Sequence, residues 1–417
     1  MAPKSFFPKA DAYKLFLVFT AVQAFALTTV FTINIVFQIK QVGLNPLQLV
    51  LIGTTLELTA FLMEIPTGVI ADVYSRRLSV ILGFFLLGCG FIVEGSFPFF
   101  GSLLLSRIIL GVGYTCLSGA TSAWIVDEIG QARAGAAFLR AAQVAQLASF
   151  SAIFFSVALA SISLQLTIVA GGLLLLLLSA ILIAVMPESG FQGRTANERE
   201  SWRTFFATFR AGASLIRRRH ILLLILLATV IHGAFSEGFD RLWTAHLLGN
   251  FTLPQLGPFD EILWFGVISA VSMPLTLAAT EVLRRRLDLS DNRRVVLTLI
   301  GVYAALIGSV LLFVLAERIA LVLLGLWLTG AARAVRNPLM EAWINQHTES
   351  NVRATVLSIQ GQADAFGQIA GGPVVGAIGL LSSVRLAISL SALLLLPILP
   401  VFRLTLNAKH SRRDAPD

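Results

Sequence analysis

The chain is written in long apolar runs separated by short polar breaks. Between Arg140 and Glu188, 47 consecutive residues carry no Asp, Glu, Lys, Arg or His. At ~1.5 Å per residue that run is ~70 Å of helix, about twice a ~30 Å hydrocarbon core, which predicts a pair of spans. Similar runs recur from one end of the sequence to the other and lack the alternation of ~10-residue barrel strands. Lipid-embedded segments that satisfy their own backbone groups must then be helices. Splitting at charges, Pro and Gly predicts twelve, near 13–37, 46–71, 78–98, 102–127, 138–160, 164–186, 221–247, 261–282, 294–315, 318–345, 353–379 and 383–404. The first follows Lys4, Lys9 and Lys14, and its uncharged stretch from Leu15 to Ile39 exceeds the ~7–15 residues of a secretory signal, so an uncleaved span is expected.

Composition closes the soluble alternative. The chain is 56% hydrophobic and only 13% charged, against roughly 25% charged in a soluble domain. Cys89 and Cys116 sit inside apolar segments, which argues for packing and against a disulfide framework or a zinc site. The net charge of +8 is spread over short loops, so no nucleic-acid partner is expected. With both termini cytoplasmic, 24 of the 31 Lys and Arg fall inside, three outside (Lys40, Arg318, Arg385) and four within spans. That is the positive-inside asymmetry, and it predicts a multi-pass protein of a bacterial inner membrane.

The longest polar segment, Pro187 to His220, carries Arg194, Arg199, Arg203, Arg210 and Arg217 to Arg219. It predicts three parts: a six-helix bundle over 1–186, a cytoplasmic loop over 187–220, and a second bundle over 221–417 with a short cytoplasmic tail. A shift of 219 residues superposes Ala123-Trp124-Ile125 on Ala342-Trp343-Ile344 and Gly111 on Gly330. The fold class expected is all-α, two six-helix pseudo-repeats of the kind whose halves rock about a midplane site.

After the second predicted span comes Gly68-Val69-Ile70-Ala71-Asp72-Val73-Tyr74-Ser75-Arg76-Arg77, a helix end followed by a tight basic loop. Its acid suits helix N-termini and its arginines suit carboxylates. The pattern resembles the second-loop motif of the major facilitator superfamily, Gly-x-x-x-Asp-Arg-x-Gly-Arg-Arg. Gly68, Asp72, Arg76 and Arg77 match; Val73 and Ser75 depart from it. Arg107-x-x-x-Gly111-x-Gly113 is similar to the same family's fourth-helix motif, associated there with proton transfer or substrate handling. That family's fifth-helix antiporter signature is absent from 138–160, while Gly371-Gly372-Pro373-x-x-Gly376 looks similar to it in the eleventh span. The resemblance implies a transporter fold over nearly the whole chain and a gating role for the second-loop motif, as a cytoplasmic latch between the halves.

Charges inside the membrane cost at least ~2.5–3.5 kcal/mol each, so those retained should be paired, wet or functional. The seventh span holds His232, Ser236, Glu237, Asp240 and Arg241. Glu237 and Arg241, four apart, can pair along one face; Asp240 keeps only Ser236 as a four-apart neighbour and is left without a local cation. Such a carboxylate suits proton coupling; equally, the cluster suits an outer gate of salt bridges. In the eleventh span Gln360, Asp364 and Gln368 form a stripe, and Glu57 lies at similar depth in the second. The proton-coupling candidates are thus Glu57, Glu237, Asp240 and Asp364, with structural hydrogen bonding the competing reading for the first and last.

Arg107, Arg241, Arg333, Arg336 and Asn337, with Gln23 and Asn34 of the first span, are the substrate-cavity candidates; the resemblance places the first, fourth, seventh and tenth helices around a central cavity. Eight acids in or near the spans outnumber the four embedded arginines, so internal pairing competes with recognition of an anionic substrate. Trp124 and Trp343 are expected in interfacial belts. Gly111, Gly113, Gly119, Gly367, Gly371 and Gly376 are expected to allow close helix approach.

No nucleotide-binding motif and no His-x-x-x-His or His-Glu pair accompanies the spans. The expectation is a non-enzymatic, cofactor-free and metal-free monomer in membrane lipid, a secondary transporter that exports a small amphipathic or drug-like molecule on the proton gradient. Uptake of a small metabolite, possibly anionic, and a transport-dead sensor of the same fold are the alternatives.

Overall fold

The computed structural model describes residues 10–191, 210, 220–254, 261–348 and 353–407. Lys4, Lys9, Arg194, Arg199, Arg203 and Arg217 to Arg219 lie outside the described residues, as does most of the 187–220 connection and the tail after 407. Among the described residues there are no strands, and twelve helices are long and apolar enough to cross a membrane: α1 (Ala12–Lys40), α2 (Pro46–Val73), α3 (Arg76–Ser96), α4 (Phe100–Ile129), α5 (Gln131–Ala160), α6 (Leu164–Val185), α7 (Ile221–Asn250), α8 (Ile262–Arg286), α9 (Asn292–Leu315), α10 (Ile319–His347), α11 (Thr355–Leu381) and α12 (Val384–Leu406). Every expected span is present.

Local chemistry sets where these helices begin and break. Ser75, Ser163 and Ser383 open α3, α6 and α12, each hydroxyl accepting the backbone N–H three residues on. Asp291 opens α9 by accepting from the N–H groups of Arg293 and Arg294. These caps satisfy donors that a helix N-terminus would otherwise carry unpaired into the bilayer edge. Within α4, the helix stops at Leu117 and restarts at Ala120 across Gly119, whose φ of +70° few other residues adopt. Gly119 therefore makes a break; no neighbour lies close enough for it to serve helix approach as expected.

The chain divides into two compact units. The first comprises α1, α2 from Thr55, α3 to α6, and α8 as far as Val267; the second comprises Asn45–Thr54, α7, α8 from Ile268, and α9 to α12. In the first unit α1 packs on α5 and α6, and α3 on α4 and α6; in the second α7 packs on α11 and α12, and α9 on α10 and α12. Adding six to each helix number in the first set reproduces the second. The pseudo-repeat, a hint in the sequence, is thus carried by packing.

Close approach is concentrated where glycines face one another. A Cβ on Gly88 would meet Gly172 O at 2.9 Å, joining α3 to α6. On α7 and α11, a Cβ on Gly233 would overlap Asp364 O, and one on Gly367 would overlap Val230 O. Backbone contact of this kind is the packing available where lipid removes the hydrophobic drive between helices.

Trp124 and Trp343 depart from expectation. They are 1% and 0% exposed, buried in the units rather than at an interface. Each indole N–H is donated inside the fold, from Trp124 to Pro187 O at 2.8 Å and from Trp343 to Asn292 Oδ1 at 3.1 Å. A buried Trp needs such a partner, and Pro187 after α6 and Asn292 at the start of α9 supply one each. The outward faces carry Leu139, Leu147 and Ile162, at 72%, 73% and 75% exposed, which suits a surface meeting acyl chains.

Candidate functional site

Two polar clusters lie inside the apolar units. The first unit holds Asn34 and Gln38 of α1, Glu94 of α3 and Arg107 of α4. Arg107 Nη2 meets Glu94 Oε1 at 2.6 Å, with side chains 1% and 0% exposed. Gln38 donates to the same Glu94 oxygen at 2.9 Å and to Asn34 Oδ1 at 2.5 Å, and Asn34 donates to Glu94 Oε1 at 3.0 Å. Arg107 also reaches Asn34 Oδ1 at 3.2 Å. Arg107 and Asn34, cavity candidates by sequence, are thus enclosed and internally bonded in their unit. Gln38 escaped notice, although its four-residue spacing from Asn34 was the available signal. Gln23 is half-buried elsewhere on α1, and Glu57 is half-buried in the part of α2 that belongs to the first unit.

In the second unit the cluster spans four helices. Arg333 of α10 grips Asp240 of α7 with two nitrogens, at 2.5 and 2.8 Å. Asp240, without a cation on its own helix, finds one 93 residues along the chain. The Ser236 hydroxyl does not serve it; that group donates to Gly233 O at 3.0 Å. Glu237 and Arg241 pair as spaced, Nε to Oε1 at 3.0 Å. They sit against Gly53, where any Cβ would overlap the pair.

Deeper in the unit, Arg336 of α10 is 7% exposed and donates from Nε to the hydroxyl of the fully buried Tyr303 of α9 at 3.0 Å, and from Nη1 to the exposed Asn337 at 3.1 Å. Tyr303 was not singled out by sequence, where it is one aromatic in an apolar run. Its ring stands edge-on to His232 at 5.8 Å. On α11, Gln368 donates to Asp364 Oδ2 at 2.9 Å. Three buried polar atoms here have no hydrogen-bond partner among the described residues: Asp364 Oδ1, Arg336 Nη2 and His232 Nδ1. Coulombic interaction ties Asp364 to Arg336, Arg333 and Asp240, and His232 to both arginines. Burial without a full set of bonds is costly unless the group exchanges a proton or a ligand, which gives this cluster chemical interest.

The second-loop motif is held within the first unit. Arg76 bonds Asp127 of α4 through Nη1, which also donates to Ala123 O at 3.0 Å, and lies 3.9 Å from the exposed Asp72. Glu188 accepts from the Ser75 hydroxyl at 2.8 Å and from the Arg77 backbone at 2.9 Å. Ser75, one of two departures from the motif, thus caps α3 and anchors the α6 end. Gly68 has open space around it. Among the described residues, no group of three His, Cys, Asp or Glu could hold a metal ion.

Two matched helical units whose helices are long and apolar enough to cross a membrane make a multi-pass membrane protein. A family model of the Major Facilitator Superfamily matches residues 16–316, and the chain belongs to that family. It is 24% identical over 374 residues to an uncharacterized MFS-type transporter, YxaM, of Bacillus subtilis (strain 168), covering 87% of this chain and 88% of the relative. Among solved structures it is similar to the nucleoside transporter NupG, with a TM-score of 0.76 and 14% identity over 94% of this chain and 99% of that one. It is also similar to a bacterial homologue of the human lysosomal transporter Spinster, inward-facing and occupied, with a TM-score of 0.73 and 14% identity over 98% and 100% of the two chains.

Proposed function

We propose that this protein is a proton-coupled secondary transporter working by alternating access, with Asp364 as the proton carrier. The observation that carries the reading is the state of that carboxylate: Oδ2 is held by Gln368, and Oδ1 is buried with no hydrogen-bond partner among the described residues. Arg333, Arg336 and Asp240 surround it electrostatically, so a proton gained or lost there changes the field on both arginines. Gaining a proton there would release part of the hold on Arg336 and alter its bonds to Tyr303 and Asn337. One charge moved through 100 mV is worth about 2.3 kcal/mol, enough to bias two conformations that differ by a few kcal/mol.

Export of a small amphipathic molecule is the direction proposed from the aromatic content of the chain, 30 Phe residues among 417. Uptake of a small metabolite is the second reading, its solute class suggested by likeness to a nucleoside transporter. Purified protein in liposomes under an imposed pH gradient and potential tests the proposal and its direction. Solute movement should follow the gradient, outward for export and inward for uptake in the cell's frame. Asp364→Asn should lose uphill movement by on the order of a hundredfold while keeping solute exchange; the factor matches the ~10²–10⁴ typical of a positioned proton-transfer group. Flux indifferent to collapse of both gradients would overturn it.

A further inference from the structure

Two cavities are lined by none of the residues of the ion network. One of 610 Å³ is lined by Ala278, Ala279, Val282 and Leu283 of α8 with Thr298 of α9, and ends at Arg286. A second, of 420 Å³, continues from Ala279 and Val335 along α9 and α10, past Ala305, Gly308 and Ala332. All these residues belong to the second unit. Small and aliphatic side chains on three helices leave a mostly apolar trough whose polar lining is Arg286 and Thr298 in the first cavity and Ser309 in the second. From Thr298 to Leu312 on α9 the trough runs about 21 Å at 1.5 Å per residue, more than the ~15 Å half-thickness of the hydrocarbon core.

The Arg286 end is basic and its charges are unevenly engaged. Arg284 and Arg285 both pair with Glu281, at 2.7 and 2.5 Å. Arg294 pairs with Asp291 at 3.1 Å, and Asp288 accepts from the Ser290 backbone and hydroxyl at 2.9 and 2.7 Å. The acids of this turn are therefore occupied. Among the described residues Arg286 and Arg293 stand in no ion pair, and Arg286 lies at the mouth of the trough.

We propose that the α8–α9–α10 trough is a binding site for an anionic phospholipid, with one acyl chain against the alanines and the phosphate at Arg286. Acyl chains match an apolar trough that runs along membrane-spanning helices, and a basic residue in its lining suits an anionic head. A guanidinium at the headgroup level selects a negative head over a zwitterionic one. The positive-inside reading puts this end, with Arg284 to Arg286 and Arg293 and Arg294, in the cytoplasmic leaflet.

The test is photolabelling of the purified full chain in nanodiscs with phosphatidylglycerol carrying a diazirine near the end of one acyl chain, followed by peptide mapping. Labels should fall within 278–335. Unlabelled phosphatidylglycerol should compete better than phosphatidylcholine of the same chains by roughly fivefold, the factor that ~1 kcal/mol per basic residue near the surface corresponds to. Arg286→Gln should erase that preference and Arg286→Lys retain it. Arg286 is exposed, so neither change threatens folding. Ala332→Phe, which fills the trough, should remove the labels from 278–335 with either competitor. Labels spread over other helices, equal competition by both lipids, or an Arg286→Gln protein that keeps the preference would each overturn the proposal. So would displacement of the label by a transported solute in place of lipid.

Discussion

A charge enclosed in an apolar unit is tolerable only while its partner stays. Glu94 and Arg107 are 0% and 1% exposed, and Asn34 and Gln38 donate to the same Glu94 oxygen that Arg107 holds. Removing one member leaves the other ionised among Phe and Leu, at a cost of about 3–5 kcal/mol. Glu94→Leu alone should therefore lower the midpoint of thermal unfolding in detergent sharply. The double variant Glu94→Leu with Arg107→Met should recover most of the loss, because no unpaired charge remains. The Arg333–Asp240 pair is more open, at 30% and 41% side-chain exposure, and water can take up a released charge. Arg333→Gln should consequently change transport more than stability, read as a drop in gradient-driven flux with a melting curve near that of wild type.

At the scale of elements, contact between α7 and α11 has no slack. Gly233→Val would drive a branched side chain into Asp364 O, and overpacking of this sort costs about 1–3 kcal/mol or more. It also moves the backbone that carries Asp364, so loss of flux should accompany loss of stability. Gly119 responds to another physics. With space around it and φ at +70°, Gly119→Ala should cost about 1–2 kcal/mol through backbone conformation alone. Thermal unfolding checks both, and trimming a neighbouring side chain should rescue neither, because a Cβ at Gly233 meets backbone atoms of Asp364 and Gln368 and one at Gly119 meets nothing.

The helices were legible from the sequence because a span is a local property: an apolar run of bilayer length, bounded by a Ser or Asp cap. The Glu237–Arg241 pair was legible for the same reason, being four residues apart on one helix. Pairs between helices were not. Asp240 looked bereft of a cation because Arg333 stands 93 positions away, and Arg107 looked available because nothing in the sequence marks Glu94 as its partner. The two Trp were misassigned since amphipathic rings suit an interface and a bonded interior alike, and only the acceptors at Pro187 and Asn292 decide between them.

For the whole molecule, charge asymmetry is the feature that fixes orientation. If both termini are inside, 24 of the 31 basic residues fall on the inner face, and a single cysteine placed at Arg210 should react with an impermeant maleimide only after that face is exposed. One placed at Lys40 should react in intact cells. Reaction of both from the same side would remove the topology on which the proposed proton direction depends.

The enclosed Glu94–Arg107 pair also constrains biogenesis. Glu94 closes α3 and Arg107 opens α4, so the translocon meets an acid and, thirteen residues later, its counter-ion. Released singly, each segment would take a bare ion into hydrocarbon at ~2.5–3.5 kcal/mol; released as a hairpin, the two cancel before either faces lipid. Glycosylation-mapped insertion should accordingly find the α3–α4 hairpin more efficient than either segment by itself, and Glu94→Gln should erase that advantage.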